Sequence, residues 1–252
     1  MSEKHIFALH VPDLERVQEE YRCPHTHPLF HRLAHVMRAA PGDEVILFTQ
    51  KIHASATITS VNKKELVFRV NSHETNQELN PHITMLVSVT KQDALEEALY
   101  VCAEFGVSAV QLLITEKAYR QALPAHALQR LQAQIIAGAE QAKYFAYPLL
   151  KEPITLAEFL AEFKRTSHKS SSSYPLFFDP EGQPVAKVLQ EITQKKPTHI
   201  AALVGPEGDL TPEEKRLLAE SGFTFCALTP TILRAPSATA LGLGILRSHL
   251  RN

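Results

Sequence analysis

The sequence predicts an α/β protein in which a small β-rich region precedes a larger region built on a mostly parallel sheet. Residues 44–70 contain three short β-rich runs separated by polar residues, a pattern typical of a small meander or barrel. From Ile83 onward, apolar strand-like runs alternate with helical patterns, which indicates a parallel sheet with helices on its faces. The polar stretch Asn71–Pro81 separates the two patterns. We therefore predict domains at residues 1–73 and 74–252.

The individual elements follow from periodicity and from helix-capping residues. Predicted strands are Val45–Phe48, Ile52–Thr59, Leu66–Val70, Ile83–Val89, Ala109–Ile114, Tyr174–Asp179, His199–Val204 and a short run before Leu228. Predicted helices are a short one with Leu29, Leu33, Val36 and Met37 on one face, then Gln92–Phe105, a long helix within Ala125–Tyr144, Leu156–Lys164, Val185–Gln194, one that starts at Thr211 and ends at Gly222, and Ala238–Leu250. Thr155 and Thr211 each precede a glutamate by three residues, so both predict capping boxes. Ser167–Ser173 is predicted to be a surface loop.

Composition excludes several classes of protein. With 252 residues, a formal charge of -1 and 21% charged residues, any nucleic-acid surface must be a local patch. The three cysteines form no CxxC pair, which favours a reducing, cytoplasmic setting. A signal-peptide layout and an apolar run of about 20 residues are both missing, so no membrane partner is predicted. Cys23, His25 and His27 match no usual zinc spacing, so no metal site is predicted.

A glycine loop, Val204 to Asp209, ends the apolar run His199–Val204. Small molecules bind at the carboxyl ends of such strands. Walker and dinucleotide-binding glycine patterns are absent, and the Glu207 carboxylate would repel a phosphate. The loop therefore suits a neutral or cationic ligand. The alternative is a plain tight turn in which Glu207 is solvated or caps a helix.

A second loop, Leu228 to Leu233, places apolar side chains beside a constrained backbone. Flat apolar walls and main-chain hydrogen bonds are what a purine ring requires. Arg234 follows directly and is the strongest polar candidate, with a plain surface ion pair as the alternative. Hydrolase signatures of the GxSxG and HExxH types are absent.

The segment His31–Arg38 predicts a basic helix, and its positive charge would suit contact with phosphates. A solvated helix face is the alternative.

Taken together, these motifs resemble the 16S ribosomal RNA uridine N3-methyltransferases, a family of the SPOUT superfamily, over nearly the whole chain. The matching segments are His31–Arg38 with Pro41-Gly42-Asp43, Lys91, Glu104–Val107, Glu140-Gln141, Gly205–Gly208 and Ile232–Arg234.

The resemblance implies a PUA-like RNA-binding β-barrel over residues 1–73 and a SPOUT methyltransferase domain with a carboxyl-terminal trefoil knot over residues 74–252. It implies a homodimer formed through the knotted domain, S-adenosyl-L-methionine as cofactor, and 16S ribosomal RNA or the small ribosomal subunit as partner. The implied cofactor-binding residues are Val204, Gly205, Pro206, Glu207, Gly208, Leu228, Thr229, Pro230, Ile232 and Leu233. Arg32, Arg38 and Lys91 are the implied RNA-binding residues, and Arg234 is the candidate catalytic residue, stabilising negative charge on the uracil oxygens.

The chain departs from the family pattern at several polar positions. Asp209 stands where a glycine is expected, and Lys117, Tyr144 and Thr231 stand where arginines are expected. The residues after Arg234 also differ, beginning with Ala235. These departures keep two other hypotheses open. One is a SPOUT-fold RNA-binding or ribosome-assembly factor that holds the cofactor without transferring methyl, and the other is a small-molecule enzyme of a generic α/β type.

Overall fold

The computed structural model describes residues 6–119, 122–167 and 173–250, which divide into two compact units. The amino-terminal unit extends to Gln77 and also includes Lys143–Ala146, and the carboxyl-terminal unit contains the remainder. The predicted loop Ser167–Ser173 lies almost wholly outside the described residues.

The amino-terminal unit is built on a five-stranded sheet of order β1-β3-β4-β5-β2. Its strands are β1 (Phe7–His10), β2 (Glu20–Pro24), β3 (Glu44–Phe48), β4 (Ile52–Val61) and β5 (Glu65–Thr75). β1 pairs with β3 in parallel, whereas the other neighbours are antiparallel. The predicted meander is therefore β3-β4-β5. β1 and β2 were not predicted, because one has only four residues and the other buries only Cys23. β5 also runs past residue 73, where the sequence suggested a boundary.

The helical segment of this unit differs from the predicted regular helix. Helix α1 (Pro28–His31) is capped by His27, whose Nδ1 accepts a hydrogen bond from the Leu29 N–H at 3.2 Å, and it continues as a π-helical turn over Arg32–Val36. The i→i+5 bonding of a π turn widens the backbone, so a three-residue step no longer returns to the same face. Leu33 is accordingly buried, whereas Val36 is 68% exposed. The placement of Val36 on the buried face was wrong.

The carboxyl-terminal unit contains a six-stranded, fully parallel sheet of order β11-β9-β10-β6-β7-β8, as the alternating pattern predicted. Its strands are β6 (His82–Ser88), β7 (Ala109–Ile114), β8 (Leu149–Thr155), β9 (Ser173–Pro184), β10 (His199–Val204) and β11 (Thr224–Ala227). β8 was missed because this edge strand is mostly exposed and contains a proline and two charges.

Helices cover both faces of this sheet. They are α2 (Gln92–Glu104), α3 (Ala125–Ala142), α4 (Leu156–Ser167), α5 (Val185–Lys195), α6 (Pro212–Glu220) and α7 (Ala235–His249). Buried side chains from α2, α3, α5 and α7 pack in one cluster, and those of α4 and α6 pack in another around Leu86 and Leu203. Within the described ranges, no helix has both the length and the apolarity needed to cross a bilayer.

Close contact between α2 and α3 requires a glycine at position 138. A Cβ there would lie 2.5 Å from the carbonyl oxygen of Tyr100 and 2.9 Å from the Cβ of Ala103. We expect Gly138→Ala to lower the free energy of unfolding by about 1–3 kcal/mol, because the clash is with backbone. Urea denaturation measures the effect. Gly244→Ala in α7 is the matched control, because its Cβ would make ordinary contact with the Phe105 ring at 3.4 Å. We expect this variant to lose no stability. Equal losses of stability in both variants would contradict the steric explanation for Gly138.

Candidate active site

The glycine loop begins where β10 ends at the buried residue Val204. A tight turn follows, in which the Asp209 N–H donates to the Pro206 carbonyl at 2.9 Å. Asp209 has a φ of +58°, in the left-handed region that favours glycine. The turn therefore explains why a glycine is expected at this position, and aspartate is among the residues that tolerate it.

Helix α6 is fixed at its start by the predicted capping box. The Thr211 hydroxyl accepts a hydrogen bond from the Glu214 N–H at 3.3 Å, and Glu214 Oε2 accepts one from the Thr211 N–H at 2.9 Å. Glu214 Oε1 also accepts the Glu116 N–H at 2.8 Å, so the same carboxylate ties the loop after β7 to α6. The capping boxes predicted at Thr211 and Thr155 are both confirmed.

The second loop runs from Leu228 to Arg234, between β11 and α7. Its turn is held by the Thr229 hydroxyl, which donates to the Thr231 carbonyl at 2.7 Å. Helix α7 begins at Ala235, three residues before the predicted start at Ala238. Pro236 explains the difference, because proline suits the first turn of a helix, where its missing N–H costs nothing. Arg234 is the N-cap residue of α7 and is exposed.

The two loops and β9 line an open cavity of about 420 Å³. Its lining residues are Phe177, Phe178, Pro180, Val204, Gly205, Pro206, Glu207, Gly208, Asp209, Ile232, Leu233, Arg234, Ala235 and Ala238. Every cofactor-binding residue predicted in the first loop is among them, as are Ile232, Leu233 and Arg234 of the second. Ile232 is 87% exposed, so its apolar side chain stands at the rim.

The remaining predicted residues of the second loop are placed differently. Leu228 and Thr229 line a small adjoining cavity of about 50 Å³, together with Asp179 and Cys226. Pro230 is exposed and lines neither cavity. The structure therefore divides the predicted set between the larger cavity and a smaller one that Cys226 of β11 also lines.

Sequence reasoning missed the wall that β9 contributes. Phe177, Phe178 and Pro180 line the cavity. The strand Tyr174–Asp179 was predicted from the sequence, but none of its residues was assigned to the site. The available signal was the predicted strand end at Asp179, since the carboxyl ends of neighbouring parallel strands meet at one edge of a sheet.

Two lysines contact the glycine loop. Lys117 Nζ donates to the carbonyl of Gly208 at 2.8 Å. Lys215 Nζ lies 2.7 Å from Asp209 Oδ2 and 2.6 Å from Oδ2 of the buried Asp179. Burial by itself lowers the pKa of Lys215, but its hydrogen bonds to Asp179 and Asp209 outweigh burial and raise that pKa above its usual value. Lys215 is therefore a permanent cation at neutral pH.

The predicted RNA-binding residues lie in different units. Arg32 and Arg38 belong to the amino-terminal unit and are exposed, whereas Lys91 is the exposed N-cap residue of α2 in the carboxyl-terminal unit. Arg38 does not extend the helix face as predicted. It lies beyond the π turn, with a φ of +52°, because the helix ends at Val36.

A profile of the RNA methyltransferase domain matches residues 77–247. The chain belongs to this family. The chain is 24% identical over 219 residues to the ribosomal RNA small subunit methyltransferase E of Rickettsia conorii. The matched residues cover 86% of this chain and 85% of that protein. A protein of the same name from Synechocystis is 26% identical over 175 residues, or 69% of this chain and 56% of that protein.

Solved structures show the same fold. A methyltransferase from Legionella pneumophila, in complex with S-adenosylmethionine, superposes with a TM-score of 0.81 at 24% identity and covers 97% of this chain and 98% of that one. The ribosomal RNA small subunit methyltransferase E of Neisseria gonorrhoeae, also bound to S-adenosylmethionine, has a TM-score of 0.80 at 23% identity with the same coverage. The predicted α/β fold with a mostly parallel sheet, preceded by a small β-rich domain, is confirmed.

Three histidines of the amino-terminal unit have contacts within that unit. His27 caps α1, and the rings of His31 and His35 lie 5.1 Å apart. Cys23 is fully buried in the core of its unit. In the part of the chain that the structure describes, no three His, Cys, Asp or Glu side chains are grouped as metal ligands.

Proposed function

We propose that this chain is an S-adenosylmethionine-dependent methyltransferase that methylates N3 of a uridine in 16S ribosomal RNA. The observation that carries the proposal is the cavity between the glycine loop and the Ile232–Arg234 segment, at the carboxyl end of β10 and beside Phe177, Phe178 and Pro180 of β9. The names of the relatives, and the cofactor bound in the Legionella and Neisseria proteins, support the same assignment.

The residues of the cavity fit an adenosyl cofactor. Its volume of about 420 Å³ falls within the range of about 300–1,000 Å³ that is usual for small-molecule sites. Phe177, Phe178 and Leu233 supply apolar walls, and the exposed backbone of the glycine loop supplies hydrogen-bonding groups. A Cβ at Gly208 would lie 3.4 Å from the side chain of Lys117, which holds the loop, so the loop and this lysine are in close contact.

When bound, the cofactor supplies an electrophilic methyl group, and the protein must align the acceptor base and exclude water. N3 of uracil becomes nucleophilic only when its proton leaves, which places negative charge on the two flanking carbonyl oxygens. Arg234, at the rim of the cavity, is positioned to donate hydrogen bonds to that charge. The target uridine must be unpaired or flipped out to reach the cavity.

Arg32, Arg38 and Lys91 would hold the RNA backbone through their positive charges. The assembly we propose is a cytoplasmic homodimer, formed through the knotted carboxyl-terminal domain, that acts on 16S ribosomal RNA or on the small ribosomal subunit.

Two measurements test the function. We expect the purified chain to bind S-adenosylmethionine in a calorimetric titration, and to form 3-methyluridine in 16S ribosomal RNA or in small subunits taken from cells that lack the protein. Mass analysis of the digested RNA identifies the nucleoside. Binding of the cofactor without methyl transfer to either substrate would instead support the RNA-binding or assembly factor.

A further inference from the structure

The Lys215 ammonium bridges two carboxylates from distant parts of the chain. It lies 2.6 Å from Oδ2 of Asp179 on β9 and 2.7 Å from Oδ2 of Asp209 in the glycine loop. The Asp179 side chain is 1% exposed, that of Lys215 is 21% exposed and that of Asp209 is 53% exposed. The bridge therefore runs from the interior to the surface, and its inner half is shielded from water. We call these three residues the Lys215 bridge.

The two carboxylates belong to two segments that line the cavity, the strand β9 and the glycine loop. Asp179 stands between Phe178 and Pro180, which line the cavity on the β9 side. Asp209 lines the cavity directly and follows Gly208. Lys215 itself is anchored on α6, and its ammonium lies 5.9 Å from the centre of the Phe177 ring, another lining residue. The bridge thus joins the strand wall to the loop wall.

The backbone conformation of Asp209 allows its side chain to reach Lys215. Its φ of +58° is accessible to glycine, asparagine and aspartate, and its Oδ1 accepts the Leu210 N–H at 2.7 Å. Oδ2 is thereby directed to Lys215. A glycine at this position would allow the turn but would leave Lys215 with Asp179 alone.

We propose that Lys215 is a positioning residue, which sets the separation between the β9 wall and the glycine loop and so preorganises the cavity for the adenosyl cofactor. This inference rests on the proposed function. A partly buried ion pair holds two segments in one geometry more firmly than an exposed pair does, because solvent screens it less. Lys117 holds the neighbouring carbonyl of Gly208, so the loop is fastened at two consecutive residues.

The test compares cofactor affinity with stability in four variants. Asp209→Asn keeps the left-handed backbone and the bond to the Leu210 N–H but removes the charge. Lys215→Met removes the bridge, and Lys215→Arg keeps the charge. Asp179→Asn combined with Lys215→Met removes the bridge without leaving a buried carboxylate unpaired, so it guards against unfolding of the single variant. Arg216→Met, on the same helix, is the control because Arg216 pairs with Glu213 and Glu220 on the surface and does not line the cavity.

We expect calorimetry with S-adenosylmethionine to show a dissociation constant raised about tenfold in Lys215→Met and in the double variant, and about fivefold in Asp209→Asn. Lys215→Arg should recover part of the affinity, and Arg216→Met should bind as the wild type does. In turnover assays the KM for the cofactor should rise in proportion, while kcat changes less than about twofold, because the bridge touches no reacting atom.

The outcomes separate the two proposals. If the wild type binds the cofactor and the bridge variants bind it equally well, the positioning role is overturned and the proposed function stands. A lower melting temperature with unchanged affinity also overturns the positioning role, because it shows a purely structural contact. If the wild type itself binds no S-adenosylmethionine, the proposed function fails and the positioning role fails with it.

Discussion

Arg234→Met should reduce the rate of methyl transfer about 100-fold while leaving the affinity for S-adenosylmethionine within about twofold of the wild type. Arg234 lines the cavity, and in the proposed reaction its guanidinium would stabilise the charge that develops on the uracil oxygens. Methionine retains the apolar stem and removes the hydrogen-bond donors. The Arg234 side chain makes no capping hydrogen bond to α7, so its loss should not disturb the start of that helix.

Single-turnover kinetics with saturating cofactor and RNA measures this prediction. The expected pattern is a lower rate constant, together with a nearly unchanged dissociation constant for the cofactor in a calorimetric titration, because an interaction made only in the transition state is lost. Arg216→Met is again the matched control, since it removes an exposed arginine from α6 outside the cavity. A rate within threefold of the wild type would rule out Arg234 as the charge-stabilising residue.

Arg247→Met should lower the free energy of unfolding by about 3 kcal/mol, the largest loss of stability that we expect from a single side chain. Arg247, in the last turn of α7, donates to three backbone carbonyls: Nε to Phe105 at 3.0 Å, Nη1 to Pro81 at 2.9 Å and Nη2 to Gly106 at 2.5 Å. Two of these carbonyls follow the end of α2, and the third precedes β6. One guanidinium therefore ties three segments of the carboxyl-terminal unit together.

Urea denaturation of the full chain measures the loss. Arg247→Lys should recover only part of the stability, because an ammonium cannot match the planar arrangement of donors that reaches three carbonyls. Arg130→Met is the control: Arg130 pairs with Glu96 at 2.9 Å but its side chain is 60% exposed, so we expect a change of about 1 kcal/mol or less. Equal losses in Arg247→Met and Arg130→Met would contradict this account.

Predictions from sequence succeeded where the signal is local. β7 has the predicted bounds, Ala109–Ile114, and β10 the predicted bounds, His199–Val204, because buried parallel strands form continuous apolar runs. The start of α6 was predicted because a capping box depends on residues only three positions apart. The position of the glycine loop was predicted for the same reason, since the loop directly ends a buried strand.

Predictions failed where a neighbouring segment decides the outcome. Val36 is exposed because the helix widens into a π turn, which hydrophobic periodicity does not reveal. β8 is an exposed edge strand whose pairing with β7 compensates for a weak apolar pattern. Lys143–Ala146 joins the amino-terminal unit, where the Phe145 ring stacks on Phe48 at 4.6 Å, although these residues directly follow a helix of the other unit.

The sequence by itself determined the alternation of strands and helices, the two loops of the candidate site and the prominence of Arg234, because each depends on a few consecutive residues. Only the tertiary structure decided that β9 forms a wall of the cavity, that the second loop divides between two cavities, and that Asp209 is held by Lys215. The physical reason is that Asp179, Asp209 and Lys215 come together only when β9, the glycine loop and α6 are packed at one edge of the sheet. A charge at Asp209, which looked like a departure from a glycine pattern, has a partner that only folding brings within 2.7 Å.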